Sequence, residues 1–511
     1  MHSQRTVIAL ISLLLLTACA GALYVYLGIN NPFIGFGADD ALYLLMADLY
    51  SGTVELDLPV YQHVREHGHF PPLFPLTLSI FGAGTENWLN ARIFVAVNMA
   101  LCIILTYRLS RSFEIQRLHT LLICIIFAFA PSTLIYSVDV WSESSFLALL
   151  LAIFWLVEMV KSKHRGLPIL FLLGALIGFL IGIRSIGVAI LPGLLLIAPR
   201  LQLHEALKLF LGLLTVTALL DVMQTSRLGE SYTDILLQTY NNGDLGVWFR
   251  LFMENGKQII LSSTSGLFHI HNWHSSLFFS LLCLLGLATT WKRYKFLASF
   301  ICCYLVILLI WPFPEFINRF VFPLSPLLLI LAYIGISILF PNTIKIKIQF
   351  ISITLLLYMA ANTWIDTFHN LLIPPTDPQL SAFRTTTHWF DQKQKKSELS
   401  LRMLWATEQA LQKVQTHVQK NQCIFTDYTG PLMFHSKRIG FSFPSEETLK
   451  RGPPWRCDYF LVFSTKNGNY PPMYPANLLG SKVAPIAIYY LPTTSRIESK
   501  PKIAGLLLHV Q

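Results

Sequence analysis

The sequence predicts a polytopic α-helical membrane protein. About eleven transmembrane helices, an outer loop with an interfacial helix, and a small C-terminal α/β domain outside the membrane are expected. Three observations carry this. Of the 511 residues, 54% are hydrophobic and only 13% are charged, which is too apolar for a soluble protein of this size. Apolar runs of about 18 residues or more recur over roughly the first 365 positions, each long enough to cross a bilayer. The tail, 369–511, is polar and dotted with proline, and has strand-like runs at 423–426, 459–464 and 487–491.

The first span covers 7–28, behind a short head containing Arg5. Within it, Leu16-Thr17-Ala18-Cys19 resembles a lipoprotein processing site, but the apolar run continues to Leu27 and favours an uncleaved span. Further spans read at about 88–107, 118–136, 143–160, 167–183, 186–198, 205–223, 276–291, 296–311, 320–340 and 349–366. Two of these, 167–183 and 186–198, are short and break around Arg184.

With the N-terminus inside, each inner connection is basic. The residues are Arg108, Arg111 and Arg117; Lys161, Lys163 and Arg165; Arg200 and Lys208; Lys292, Arg293 and Lys295; Lys345 and Lys347. The outer segments are then loop 29–87, a short loop around Asp139, the turn at Arg184, loops 224–275 and 312–319, and the tail. This distribution also accounts for the formal charge of +10 without nucleic acid, since no basic run is interleaved with aromatics. Membrane lipids are the expected surroundings.

Six cysteines lie in apolar spans, where they act as small hydrophobes. Cys423 and Cys457 stand in the tail. They form a disulfide if it faces an oxidising compartment, and are two thiols otherwise.

Loop 29–87 concentrates the chemistry. Asp39 and Asp40 open a stretch that is apolar at Leu42, Leu45, Met46 and Leu49, one face of a helix that Gly52 would end. A helix N-terminus favours negative charge, and paired acids suit a general base acting on an acceptor hydroxyl. A helix cap beside one solvated acid accounts for the same pair. Arg92, Arg184 and Arg319 fall at outer ends of spans, where they are either cations for an anionic ligand or interfacial anchors. Asp139 and Glu143, four apart, share a helix face, and Glu143 also reads as a cap. Outer histidines cluster at His63, His67 and His69 and at His269, His271 and His274. Of these, His69, His269 and His271 are the candidate ligands for a divalent metal such as zinc.

Several motifs fall in one order on one side of the membrane. Asp39-Asp40 after the first span is followed by Tyr43, Ala47 and Gly52, then by Pro71-Pro72-Leu73-Phe74-Pro75. Arg92 lies in NARIF, Ser142-Glu143 in VDVWSESS, and Asn318-Arg319-Phe320 precedes Pro323 and Pro326. Over roughly 1–366 this resembles the GT-C glycosyltransferases, closest to the protein O-mannosyltransferase-like and aminoarabinose-transferase-like families. The resemblance implies an integral enzyme, expected in the bacterial inner membrane, with its active site and tail extracytoplasmic. A sugar would pass with inversion from a polyprenyl-phosphate donor to a lipid, glycan or protein hydroxyl. Asp39 would be the base, supported by Asp40, and no cofactor would be required.

Two departures stand out. Asp40 replaces a frequent Glu, and Phe70 stands where some relatives carry lysine, which counts against aminoarabinose as the sugar. A transporter and a non-catalytic scaffold are the alternatives. The gathering of ionisable residues at one face rather than at the midplane speaks against transport.

Overall fold

The computed structural model describes residues 2–30, 39–52, 54, 58–65, 70–161, 167–197, 202–224, 245–268, 270–339, 410–426, 429–441, 457, 459–463, 483–490 and 503–510. Six described helices are long and apolar enough to cross a membrane: Val7–Ile29, Trp88–Ser112, Glu143–Val160, Leu203–Leu220, Trp273–Thr290 and Pro314–Ile338. Shorter apolar helices run over Arg117–Ala128, Pro168–Ile183, Ser185–Leu196 and Lys295–Leu309. Each coincides with a predicted span, and the expected span 349–366 lies outside the described residues.

In chain order the membrane part begins with α1 (His2–Ile29), α2 (Asp39–Ser51), α3 (Pro59–Arg65), α4 (Leu73–Ile80) and α5 (Trp88–Ser112). It continues with α6 (Arg117–Ala128), α7 (Pro131–Tyr136), α8 (Glu143–Lys161), α9 (Leu167–Ile183), α10 (Leu191–Ile197) and α11 (Leu203–Gln224). Then follow α12 (Leu245–Phe268), α13 (Trp273–Thr290), α14 (Lys295–Leu309), α15 (Ile317–Val321) and α16 (Ser325–Ile338).

Two expectations need correction. The span read at 118–136 is split, because Pro131 has no N–H to continue α6 and instead takes the first turn of α7. The stretch 224–275, read as an outer loop, contains the 24-residue helix α12. Its apolar periodicity is interrupted by Arg250, Glu254, Asn255, Gly256 and Lys257, which hid it.

Small residues let the helices approach closely. Gly174, Gly178 and Gly182 recur every fourth residue along α9, so they line one face toward α11. A methyl group at Gly178 would lie 2.7 Å from Cβ of Val216. Gly286 on α13 and Gly335 on α16 each abut the other helix's backbone: a Cβ at Gly335 would lie 2.9 Å from the carbonyl carbon of Leu282. Gly335→Val is therefore expected to force α13 and α16 apart and to destabilise the protein by about 1–3 kcal/mol, read as a lower thermal midpoint in detergent.

The first helix is part of the bundle. Tyr24 donates its hydroxyl to the Ala128 carbonyl at 2.6 Å, and Gly21 faces Ala100. Helix α2 begins at Asp39 as expected, and Gly52 (φ +68°) stands at its end. It does not lie exposed along a surface, because Asp40, Tyr43, Leu44, Leu45, Met46 and Asp48 are all buried. Asp48 ties parts of the 29–87 stretch together, accepting from the Tyr61 hydroxyl (3.0 Å) and from the Thr85 amide (3.0 Å) and hydroxyl (2.6 Å).

The tail forms a five-stranded sheet, ordered β2-β1-β3-β5-β4, from β1 (Cys423–Phe425), β2 (Ile439–Phe441), β3 (Tyr459–Phe463), β4 (Val483–Tyr490) and β5 (Ile503–Val510). β1 pairs in parallel with β2 and β3, and β5 is antiparallel to β3 and β4. β2 and β5 escaped the strand reading, β2 being only three residues long. Cys423 and Cys457 form a disulfide joining β1 to the residues before β3. Helix α17 (Thr429–Ser436) packs on α2, its Met433 and Phe434 joining the main hydrophobic cluster. Just beyond it, Lys437 sits over the rings of Phe434 (5.6 Å) and Tyr61 (5.9 Å).

Candidate active site

The short helix α15 carries Arg319, set between 3-10 turns at Pro314–Phe316 and Phe322–Leu324. Its guanidinium forks onto Glu143: Nε donates to Oε1, and Nη2 to Oε2 at 3.3 Å. Nη1 donates to Oδ2 of Asp39. Glu143 also pairs with Nη1 of Arg184, so one carboxylate bridges two arginines. The four side chains come from the start of α2, the start of α8, the α9–α10 turn and α15, far apart in sequence.

Their exposure differs in a useful way. Side-chain accessibility is 0% for Glu143, 9% for Arg184, 14% for Arg319 and 23% for Asp39. Asp39 is therefore the acid that an incoming molecule can reach, and Glu143 is the buried counter-ion that holds both guanidinium groups.

Aromatic faces fix the planes of the cations. Arg319 lies 4.7 Å from the Trp141 ring centre and Arg184 lies 4.7 Å from that of Phe320. The Ser142 hydroxyl accepts from Arg184 at 3.5 Å and shares a 3.4 Å hydrogen bond with the Tyr43 hydroxyl. Trp141 was not singled out from sequence, although its place next to Ser142-Glu143 at a span start was a usable signal.

Asp40 is buried beside Asp39 and accepts the Ala41 amide at 2.9 Å. Arg92, also buried, donates to the Gly28 carbonyl at 2.6 Å and packs over Trp88 at 4.7 Å. Asp139, in the α7–α8 loop, is buried, and its Oδ2 has no hydrogen-bond partner among the described residues. Burial, then the negative charge of Asp40, pushes the Asp139 carboxyl up to about 7, while Arg92 and Arg319 oppose the shift. With Asp139 protonated, three carboxylates face three guanidinium groups and the charges balance.

This has a pH consequence. The folded state holds the Asp139 proton more tightly than an unfolded chain, whose aspartates titrate near 3.9. The stabilisation is complete below about 4 and is lost as pH rises through about 7. The difference in thermal midpoint between wild type and Asp139→Asn is expected to move against the wild type from pH 5 to pH 8. A pH-independent difference refutes this.

His69 and His269 lie outside the described residues, and His271 is exposed just before α13. Among the described residues, no group of three or more His, Cys, Asp or Glu side chains is arranged to hold a metal ion.

The sequence matches no protein-family model, and it matches no curated protein. Its fold does match solved structures. ArnT from Cupriavidus metallidurans bound to undecaprenyl phosphate superposes with a TM-score of 0.52 at 11% identity, over 97% of each chain. The same protein in the apo state gives 0.51 at 11% identity and the same coverage. An oligosaccharyltransferase from Archaeoglobus fulgidus, in complex with zinc and sulfate, gives 0.46 at 12% identity, over 96% of this chain and 73% of that one. The chain shares the polytopic fold of ArnT from Cupriavidus metallidurans.

Proposed function

We propose that this protein is a membrane glycosyltransferase that moves a sugar from a polyprenyl-phosphate donor to an acceptor hydroxyl outside the cytoplasm. The observation that carries the reading is the clasp of Arg319 on Asp39 and Glu143, with Arg184 on the same glutamate. The fold shared with ArnT, solved with undecaprenyl phosphate, supports it. In this reading residues 1–368 are the catalytic membrane part and 369–511 an extracytoplasmic domain. The Cys423–Cys457 disulfide suits an oxidising compartment such as the outer side of a bacterial inner membrane.

The chemistry follows from the residues. The acceptor hydroxyl attacks the anomeric carbon from the face opposite the phosphate, and Asp39 takes its proton. The bond from that carbon to the phosphate oxygen breaks, and the lipid phosphate leaves with the electron pair and one more negative charge. Cations held in place beforehand stabilise that charge more in the transition state than in the donor. Arg319 has five N–H groups and uses three on Asp39 and Glu143, which leaves two for phosphate oxygens. Single displacement inverts the anomeric centre.

The test is turnover by purified protein in nanodiscs, supplied with a panel of undecaprenyl-phosphate hexoses and pentoses and with lipid, glycan and peptide acceptors. Inverted product supports the reading. Substrate flux through proteoliposomes with no product formed overturns it in favour of a transporter. Chelator is expected to leave the rate unchanged, since guanidinium groups supply the positive charge. Loss restored by zinc would instead assign the outer histidines to a metal.

A further inference from the structure

Helix α12 carries a polar stripe on one face: Asn255, Ser262 and Ser265, seven and then three residues apart, all buried. Asn255 Nδ2 donates both hydrogens, to the carbonyls of Leu309 (3.1 Å) and Trp311 (2.7 Å). These carbonyls stand where α14 ends, and the last carbonyls of a helix have no partner within it. Ser265 donates to Oδ1 of Asn318 at 3.3 Å, next to Arg319. The connection from α14 to α15 is thus pinned to α12 at both ends.

The pinned segment leads into α15, which carries Arg319 and the ring on which Arg184 rests. The Trp311 ring packs on Phe320 with 4.9 Å between centres, and Phe320 is the face on which Arg184 rests. The Tyr304 hydroxyl donates to the Phe320 carbonyl at 2.8 Å. A primary amide is a side chain that can cap two nearby carbonyls at once, and Asn255 does so while its own Oδ1 is buried without a partner among the described residues. Its orientation is set by the two carbonyls, not by its acceptor.

We propose that Asn255 is a positioning residue: by capping the end of α14 it sets where Arg319 and Arg184 stand toward the donor phosphate. This rests on the sugar-transfer reading. Asn255→Leu keeps the branched heavy-atom skeleton of the side chain and removes both donors. Full-length protein in nanodiscs, with the best donor of the panel, is expected to lose about tenfold in kcat with donor KM moved less than twofold, because the displaced cations act on charge that develops in the transition state.

In an Arg319→Lys background the Asn255 substitution is expected to cost less than its full factor, since of the two cations it positions only Arg184 remains. An unchanged kcat in the single variant, or multiplied losses in the double, overturns the proposal. Asn255→Ser, with one donor, should fall between and serves if the leucine variant is not monodisperse. If wild type turns over no donor, the sugar-transfer reading fails separately. The positioning claim is then read from thermal unfolding: less-than-additive shifts for Asn255→Leu with Arg319→Lys sustain it, and additive ones overturn it.

Discussion

Asp39→Asn is expected to lower the transfer rate by about 10²–10⁴-fold, the range that a positioned general base supplies. The substitution keeps the volume of the side chain and the start of α2, so the protein should remain monodisperse and in the membrane. Arg319 keeps its fork on Glu143, so undecaprenyl phosphate should still bind, which makes the defect one of kcat. The decisive comparison is product formed per enzyme at saturating donor. Full activity in this variant removes Asp39 from the role of base, because no other acid of the clasp is as exposed.

The second large effect is on stability. Glu143→Gln removes the one carboxylate that compensates both Arg184 and Arg319 from a fully buried position. Taking one partner out of a buried ion pair leaves an uncompensated charge and costs about 3–5 kcal/mol, because water is not there to replace it. A large fall in the thermal midpoint, or failure to accumulate in the membrane, is expected. Glu114 offers the control. It also pairs with an arginine, Arg293, at 2.7 Å, but the two side chains are 72% and 60% exposed. Glu114→Gln should leave the midpoint where it is, since an exposed pair is screened and gains little. Equal effects at the two glutamates would contradict the placement of Glu143 in the core.

Much of this site was legible because its residues sit where hydropathy changes. Asp39, Arg184, Glu143 and Arg319 interrupt or border apolar runs, and the alternation of basic connections put them on one side. The ends of α2 were readable for a local reason: two acids at its start and a glycine in the left-handed region at its stop. Which arginine pairs with which acid was not readable, since Glu143 and Arg319 are 176 residues apart. Helix α12 was missed because a helix that buries Asn255, Ser262 and Ser265 against other protein need not be uniformly apolar, and hydropathy registers only lipid-like faces. The burial of α2 was equally hidden, because the tail helix that packs on it begins near residue 429.

The covalent tie between Cys423 and Cys457 reaches beyond architecture. Chains made where thiols stay reduced would emerge with β1 and β3 joined by hydrogen bonds alone. If the tail folds outside the cytoplasm, as proposed above, maturation of this polypeptide draws on the oxidative-folding machinery of its host. A strain lacking that machinery should accumulate a form that migrates differently on non-reducing gels and yields more readily to protease in the last hundred residues.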